Sequence, residues 1–335
     1  MSWLTRKAIP IYSRLNLVLE KFPFQINYII FKIFLKKKYP TSLSVELTNS
    51  CNYKCTLCPT TNLMTRKRGM MDLSTYEKLV RQVKGKTKKF YFNYAGEPTL
   101  NPQFINMIKI AKKNDIWVQL STNGSFNNPK EIVKTNVDEI LFAMDGISKK
   151  TQEYYRKRSN FNVVLKNLKD LCKYKKMVGS KTKIIWQFII MKSNEHEIPD
   201  AIKLAKQIGV DELHLKPISL FEGFLNKSKE ELYNEFVPIN KKYSRYDFKI
   251  DRTVNKPVFC PALHAPLVLF NGDVTICCYD YDGKYALGNI KKSNIIKLFN
   301  NKTYTNIKKN IISKNLKICK ECTIGIGGSF IFKFN

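Results

Sequence analysis

Between residues 41 and 220 the chain alternates two hydrophobic periods. SLSVELTN (42–49) switches between apolar and polar positions and predicts a strand. Leu73–Val83 follows with helical spacing, and Asp72 or Ser74 offers a cap. KFYFNYAG (89–96) predicts a strand that ends at a glycine, and 102–113 a helix. IWVQLSTNG (116–124) predicts a strand and turn, and 129–135 a short helix. DEILFAMDG (138–146) is the next strand, followed by helices over 149–158 and Phe161–Met177. KIIWQFIIM (183–191), a helix over Ile198–Ile208 and DELHLKPIS (211–219) complete six strand–helix alternations. Such alternation implies parallel strands joined by right-handed crossovers. The fold class is α/β, an open or partial (β/α)6 barrel with ligands at the carboxyl ends of its strands.

The pattern then changes. Residues 222–256 are charged and irregular and predict a linker with one helix, Lys229–Phe236. PLVLFNGDVTICC (266–278) places two short strands around Asn-Gly, a hairpin signal. YALGNI (285–290), a helix over 294–300 and Cys319-Lys-Glu-Cys322 close a small α+β cysteine-bearing domain. The predicted organisation is an N-terminal helical extension (1–40), a core (41–221), a linker (222–256) and a second domain (257–335). No period of 20–50 residues repeats, which argues against a solenoid.

Composition narrows the function classes. Of 335 residues 44% are hydrophobic, which excludes global disorder. Lys and Arg number 58 against 27 Asp and Glu, a net +31. That excess suits an anionic partner, but the lysines are spread along the chain rather than gathered in a stripe, so it reads as solvated surface. No specific nucleic-acid partner is expected. The most apolar early run, 22–35, is shorter than the roughly 18–20 residues a membrane span needs and holds Gln25, Asn27 and Lys32. It predicts a helix packed on the domain behind it, with an anionic membrane surface as the alternative. The first residues lack a secretory signal pattern, so the expected location is cytoplasmic, with membrane association open.

Nine cysteines are too sparse for a disulfide scaffold, and eight of them cluster. Cys51, Cys55 and Cys58 form CxxxCxxC directly after a predicted strand. Structural zinc takes four ligands, commonly in two pairs. Three thiolates in eight residues suit a [4Fe–4S] cubane with one iron left open. Cys260, Cys277, Cys319 and Cys322 form a second group, with Cys278 competing for the Cys277 position. Spacing alone leaves zinc and a fully ligated [4Fe–4S] cluster equally open there. A zinc-bearing nucleic-acid binder is disfavoured, because the CxxC pairs at 55–58 and 319–322 lie far beyond the ~15–20 residues of a zinc ribbon.

The triplet and the strand-end motifs together resemble radical S-adenosylmethionine (radical SAM) enzymes. The matching residues are Cys51, Cys55 and Cys58; Gly96-Glu97-Pro98 after the second strand; Ser121-Thr122-Asn123-Gly124 after the third; and Met144-Asp145-Gly146 after the fourth. Leu57 stands where many members carry an aromatic, and Ala143 where a serine is common. The resemblance implies that the open iron binds SAM and that reductive cleavage yields a 5′-deoxyadenosyl radical. It implies SAM contacts at Gly96, Glu97, Pro98, Ser121, Asn123, Asp145 and Gln187. Arg156, or its neighbour Arg158, would hold the SAM carboxylate from a helix. Asn194 and His214 are further candidates for polar contacts.

The second group resembles SPASM/twitch domains. It matches through Cys260-Pro261, Asn271-Gly272-Asp273-Val274, Cys277-Cys278-Tyr279-Asp280, Leu287-Gly288-Asn289-Ile290, Cys319 and Cys322. That resemblance favours one auxiliary [4Fe–4S] cluster on Cys260, Cys277, Cys319 and Cys322. The implied activity is oxidation or epimerisation of a sugar- or aminoglycoside-like small molecule, a glycan or a peptide. A flavodoxin- or ferredoxin-type protein would be the reductant. The first 40 residues are too short for a winged-helix peptide module, which tilts the expectation toward a small or glycan-like substrate. Cys172 and Cys278 are the spare thiols for hydrogen donation, and Glu97, Asp145 and Tyr94 are the candidate bases. An iron–sulfur carrier or sensor without radical chemistry is the rival class; it needs no SAM-shaped pocket.

Overall fold

The computed structural model describes residues 7–8, 38–220, 223–246, 260–313, 315–320, 322 and 329–334. The apolar run at 22–35 and most of the N-terminal extension lie outside them, as does the end of the linker.

Six strands run parallel in chain order: β2 (Ser42–Val45), β3 (Lys89–Phe92), β4 (Trp117–Thr122), β5 (Glu139–Ala143), β6 (Lys183–Ile190) and β7 (Glu212–Pro217). The crossovers carry α1 (Leu73–Val83), α2 (Phe104–Lys113), α3 (Pro129–Lys134), α4 (Lys149–Tyr155), α5 (Phe161–Met177) and α6 (Ile198–Ile208). This is the expected singly wound (β/α)6 order. Capping fixes several starts: Asp72 accepts from Thr75 N at 2.7 Å, and Asn160 accepts from Val163 N at 3.2 Å.

Strand alternation divides the sheet into two unlike faces. Phe90, Phe92, Val118, Leu120, Ile140, Phe142, Trp186 and Phe188 are fully buried. They share one core with Leu79, Val80, Ile108, Leu168 and Leu171 of the crossover helices. Each such side chain contributes about 1.5–3 kcal/mol on burial. The alternate positions, Tyr91, Gln119, Ser121, Glu139, Gln187 and His214, are only half-buried. Chemistry has room on that second face.

The cysteine-bearing region extends the same sheet. β8 (Leu267–Val268) pairs parallel to β2, and β9 (Asp273–Thr275) returns antiparallel as the Asn-Gly hairpin. Gly272 makes the turn at φ +91°, where a side chain would be strained. β10 (Gly288–Asn289) pairs with β9. α7 (Lys229–Phe236) starts on a capping box at Ser228 and Glu231. α8 (Ile295–Phe299) matches its expected position, whereas α9 (Lys302–Ile312) was not foreseen. Neither was β11 (Ser329–Lys333), which pairs antiparallel with β7 at the opposite sheet edge. β1 (Lys7–Ala8) pairs with β11 in turn. Both edges of the parallel barrel are therefore covered. Among the described residues no helix is long and apolar enough to cross a membrane.

Candidate active site

The loop of the first cysteine triplet is held from two sides. On one side Gly96 turns at φ +70° and presses against the backbone that leads into Cys51; a Cβ there would stand 2.5 Å from the carbonyl oxygens of Thr48 and Ser50. Glu97 N donates to Ser50 O at 2.8 Å. On the other side Lys54 N donates to Lys157 O and Thr56 N to Tyr155 O, both at 2.9 Å. Tyr53 N reaches Cys51 Sγ at 3.4 Å, and Asn123 Nδ2 approaches it at 3.8 Å. Burial pushes the Cys51 thiol up to about 11 and Cys55 up to about 12.

The buried carboxylates act as ties. Glu97 accepts from Thr99 Oγ1 at 2.7 Å, Thr122 Oγ1 at 2.8 Å and Asn123 N at 2.7 Å, joining the ends of β3 and β4. Asp145 accepts from Ile189 N at 2.8 Å and from Arg156 Nε at 2.7 Å. Burial raises the pKa of both carboxyls, against which these donors work. Tyr94 donates its hydroxyl to Asp280 O at 2.8 Å. The three candidate bases are thus spent on structure. Asn194 likewise donates to Asp145 O and Ile189 O and accepts from Met191 N. His214 pairs with Glu212 on its own strand at 2.7 Å.

A cavity of about 400 Å³ opens beside the loop. Cys55, Cys58, Arg156, Gln187, Lys216 and Cys278 all line it. Arg156 departs from expectation in its setting: α4 ends at Tyr155, and Arg156 caps it at φ −90°, ψ 69°, outside the helix. There it is buried against Asp145. Burial works against its charge, but Asp145 and Cys55 hold its pKa above the ordinary arginine value. Gly96, Glu97, Pro98, Ser121, Asn123 and Asp145 do not line this cavity; they build the frame around it. Cys172 requires a correction. It is 2% exposed in the main core on α5, away from the cavity, and burial pushes its thiol to about 12. A small thiol at an inward helical position packs like any small hydrophobe, so it is no hydrogen donor.

In the second region Cys260, Cys277 and Cys319 pack against the main core, while Cys278 faces the cavity. Cys319 and Cys322 both bear electrostatically on Cys260, and burial pushes Cys260 up to about 12. The Cys277 thiol donates to Cys278, which holds Cys278 below and Cys277 above the ordinary thiol value. Asp280 organises the turn, accepting from Thr275 Oγ1, Lys284 N and Tyr285 N.

A polar seam joins the two regions, and no sequence motif announced it. Arg66 pairs with the buried Glu46 and donates Nε to Tyr281 O at 2.7 Å. Phe270 N donates to the same Glu46 at 3.0 Å. Asp282 accepts from Thr65 N at 2.7 Å and Thr65 Oγ1 at 2.9 Å. Gly69 leaves room for the Phe270 ring, which a Cβ would meet at 2.2 Å.

Among the described residues no three acidic, histidine or cysteine side chains converge as ligands of a single ion would. The first triplet has the donor chemistry of a [4Fe–4S] site: its three thiols influence one another, and two open on the cavity.

Comparison with known proteins agrees. Residues 45–185 match the radical SAM superfamily, and 260–323 match SPASM, an iron–sulfur cluster-binding domain. The chain is 23% identical to the tungsten-containing aldehyde ferredoxin oxidoreductase cofactor-modifying protein of Pyrococcus furiosus, over 86% of this chain and 89% of that one. It is 25% identical to the cysteine-type anaerobic sulfatase-maturating enzyme of Clostridium novyi, over 82% and 83%. The fold matches Streptococcus suis SuiB bound to S-adenosylmethionine with a TM-score of 0.63 at 15% identity, covering 91% of this chain and 76% of that one. With its strand-end frame, its cysteine triplet and its second cysteine region, the chain carries a radical SAM domain over residues 45–185 and a C-terminal SPASM domain over 260–323, domains that imply SAM and iron–sulfur clusters as cofactors.

Proposed function

We propose that this protein is a radical SAM maturase that oxidises a peptide side chain. One observation carries the reading: a single cavity touches the SAM-cluster thiols Cys55 and Cys58 and also Cys278 of the SPASM region. When bound, the first cluster and SAM supply a 5′-deoxyadenosyl radical that abstracts hydrogen from the substrate. Cys51, Cys55 and Cys58 hold that cluster. Arg156, oriented by Asp145, faces the SAM carboxylate, and Gln187 lines the same wall. Gly96 to Pro98, Ser121 and Asn123 position the loop and the SAM end of the cavity.

Cys260, Cys277, Cys319 and Cys322 would hold one auxiliary [4Fe–4S] cluster, which would take the substrate radical's electron while its proton leaves to solvent. Closed four-thiolate ligation suits electron transfer. Cys277 is taken as the ligand: it packs on the same core as Cys260 and Cys319, and Cys260 bears on it electrostatically, while Cys278 lines the cavity. Cys278 is left as the cavity thiol, and a flavodoxin- or ferredoxin-type protein supplies the priming electron. Two names support a peptide substrate over the small-molecule expectation: one relative is a sulfatase-maturating enzyme, and SuiB has been solved with its precursor peptide SuiA; the cofactor-modifying relative supports a small molecule as the second reading.

Anaerobic reconstitution with iron and sulfide, followed by dithionite and SAM, tests this. Formation of 5′-deoxyadenosine is expected, and its loss in the C51A/C55A/C58A variant. Undiminished formation in that variant contradicts the assignment. Mass spectrometry of a modified peptide then separates the chemistries. Loss of a hydrogen pair means oxidation; unchanged mass with solvent-deuterium uptake means epimerisation, with Cys278 as donor.

A further inference from the structure

The cavity contains a lysine that no carboxylate meets at ion-pair distance among the described residues. Arg156 and Lys216 line its walls, and Arg156 is met by Asp145. Lys216 stands at the carboxyl end of β7, in register beside Ile189, and has no ion-pair or hydrogen-bond partner among the described residues. Behind the same strand end lies Arg245, 6% exposed. Its Nη2 donates to Pro217 O at 2.5 Å, while its buried Nε has no acceptor among the described residues. Neither cation has a carboxylate partner among them. Lys216 is exposed, so an anion arriving from outside can reach it, and the buried charge of Arg245 behind it adds to the attraction.

Arg156 pairs with Asp145 and feels Cys55 of the triplet, whereas Lys216 feels Cys278 of the SPASM region and, beyond ion-pair distance, the same Asp145. The wall near Cys278 is aromatic: Tyr279 and Tyr281 line it, stacked at 6.4 Å and 29°. SAM therefore takes the Arg156 end, and the substrate takes the Lys216 end.

We propose that Lys216, backed by Arg245, anchors a carboxylate of the substrate peptide and so sets a preference for an acidic residue near the modified position. The proposal rests on the maturase reading and names its recognition element. A carboxylate suits the site better than a phosphate. One ammonium reaches the cavity, and the guanidinium behind it is already partly spent on Pro217, which matches a single negative charge. Crowding by the cavity walls and the charge of Arg245 hold Lys216 below the ordinary lysine range, a penalty that a bound carboxylate offsets.

The test titrates SAM-loaded, reconstituted enzyme calorimetrically with N-acetylglutamate, with the neutral N-acetylglutamine and with inorganic phosphate. N-acetylglutamate is expected to bind about tenfold tighter than N-acetylglutamine, the equivalent of one net charge contact. K216M and K216Q should erase that preference and K216R should keep it, with iron content per chain reporting that each variant folds. Equal binding of the acid and the amide, or a preference that survives K216Q, overturns the site. Phosphate binding tighter than N-acetylglutamate also overturns it and points to a phosphorylated small molecule. Deoxyadenosine formation by the wild-type enzyme is read separately, so failure of the anchor is distinct from failure of the maturase assignment.

Discussion

The two cysteine regions share one sheet but are supported very differently. The triplet loop hangs from a finished scaffold. Thr48 and Asn49 bind the backbone of Gly69 and Lys67, Asn101 ties Leu47 to Met71, and Glu97 joins two strand ends. The SPASM cysteines sit among strands of two or three residues, and their ties are mostly local, such as Asp280 closing its own turn. The first site is held by ties that do not involve its own cysteines. The second has short elements of its own and leans on the core it shares with the barrel and on the seam.

That contrast can be broken in graded ways. The largest expected effect follows from stripping iron with a chelator. Hydrogen exchange should then show β9, β10 and α9 losing protection, while amides of β3 to β6 keep theirs. Uniform loss across both regions would abolish the distinction. Next comes the seam. E46A leaves Arg66 buried without its carboxylate, and about 3–5 kcal/mol of stability should be lost in denaturant titration. The loss should be accompanied by early exposure of the SPASM region.

A smaller effect is expected from E97Q, which keeps the shape but weakens the grip on Thr122 and Asn123. A loss of about 1–3 kcal/mol is expected, confined to the triplet side of the molecule. The smallest concerns Lys308, which lies 4.1 Å from the ring centroids of Phe299 and Tyr304. Burial pulls it down to about 8, below its ordinary 10.5. The folded state then binds this proton more weakly than the unfolded state. The protein should gain stability as pH rises from 8 toward about 10, and K308M should flatten that slope in urea titrations.

The barrel was legible in the sequence because its elements are local and strongly periodic. Leu73–Val83, Phe161–Met177 and Ile198–Ile208 fall where the helical spacing puts them. The cysteine triplet and the strand-end motifs were legible because turns demand particular residues, as Gly96 shows. Long-range pairing was not. β11 meets β7 more than a hundred residues away in sequence, and no local pattern encodes that partner. The helix Lys302–Ile312 was hidden by its run of lysine and asparagine.

Side-chain commitments were equally silent. Glu97, Asp145 and Tyr94 read only as polar groups near the expected pocket until their partners were seen. Lys216 had one faint signal: it shares strand parity with His214, on the half-buried face, at the carboxyl end of β7. Nothing local distinguishes Arg245 from the other basic residues of its segment.

The most direct test of two separate cluster sites is iron and sulfide per chain, measured after anaerobic reconstitution in the wild type and in C51A/C55A/C58A. The account predicts about eight iron with matching sulfide in the wild type and about four in the variant, all of it on the SPASM cysteines. About four iron plus one zinc in the wild type, with iron absent from the variant, would contradict it.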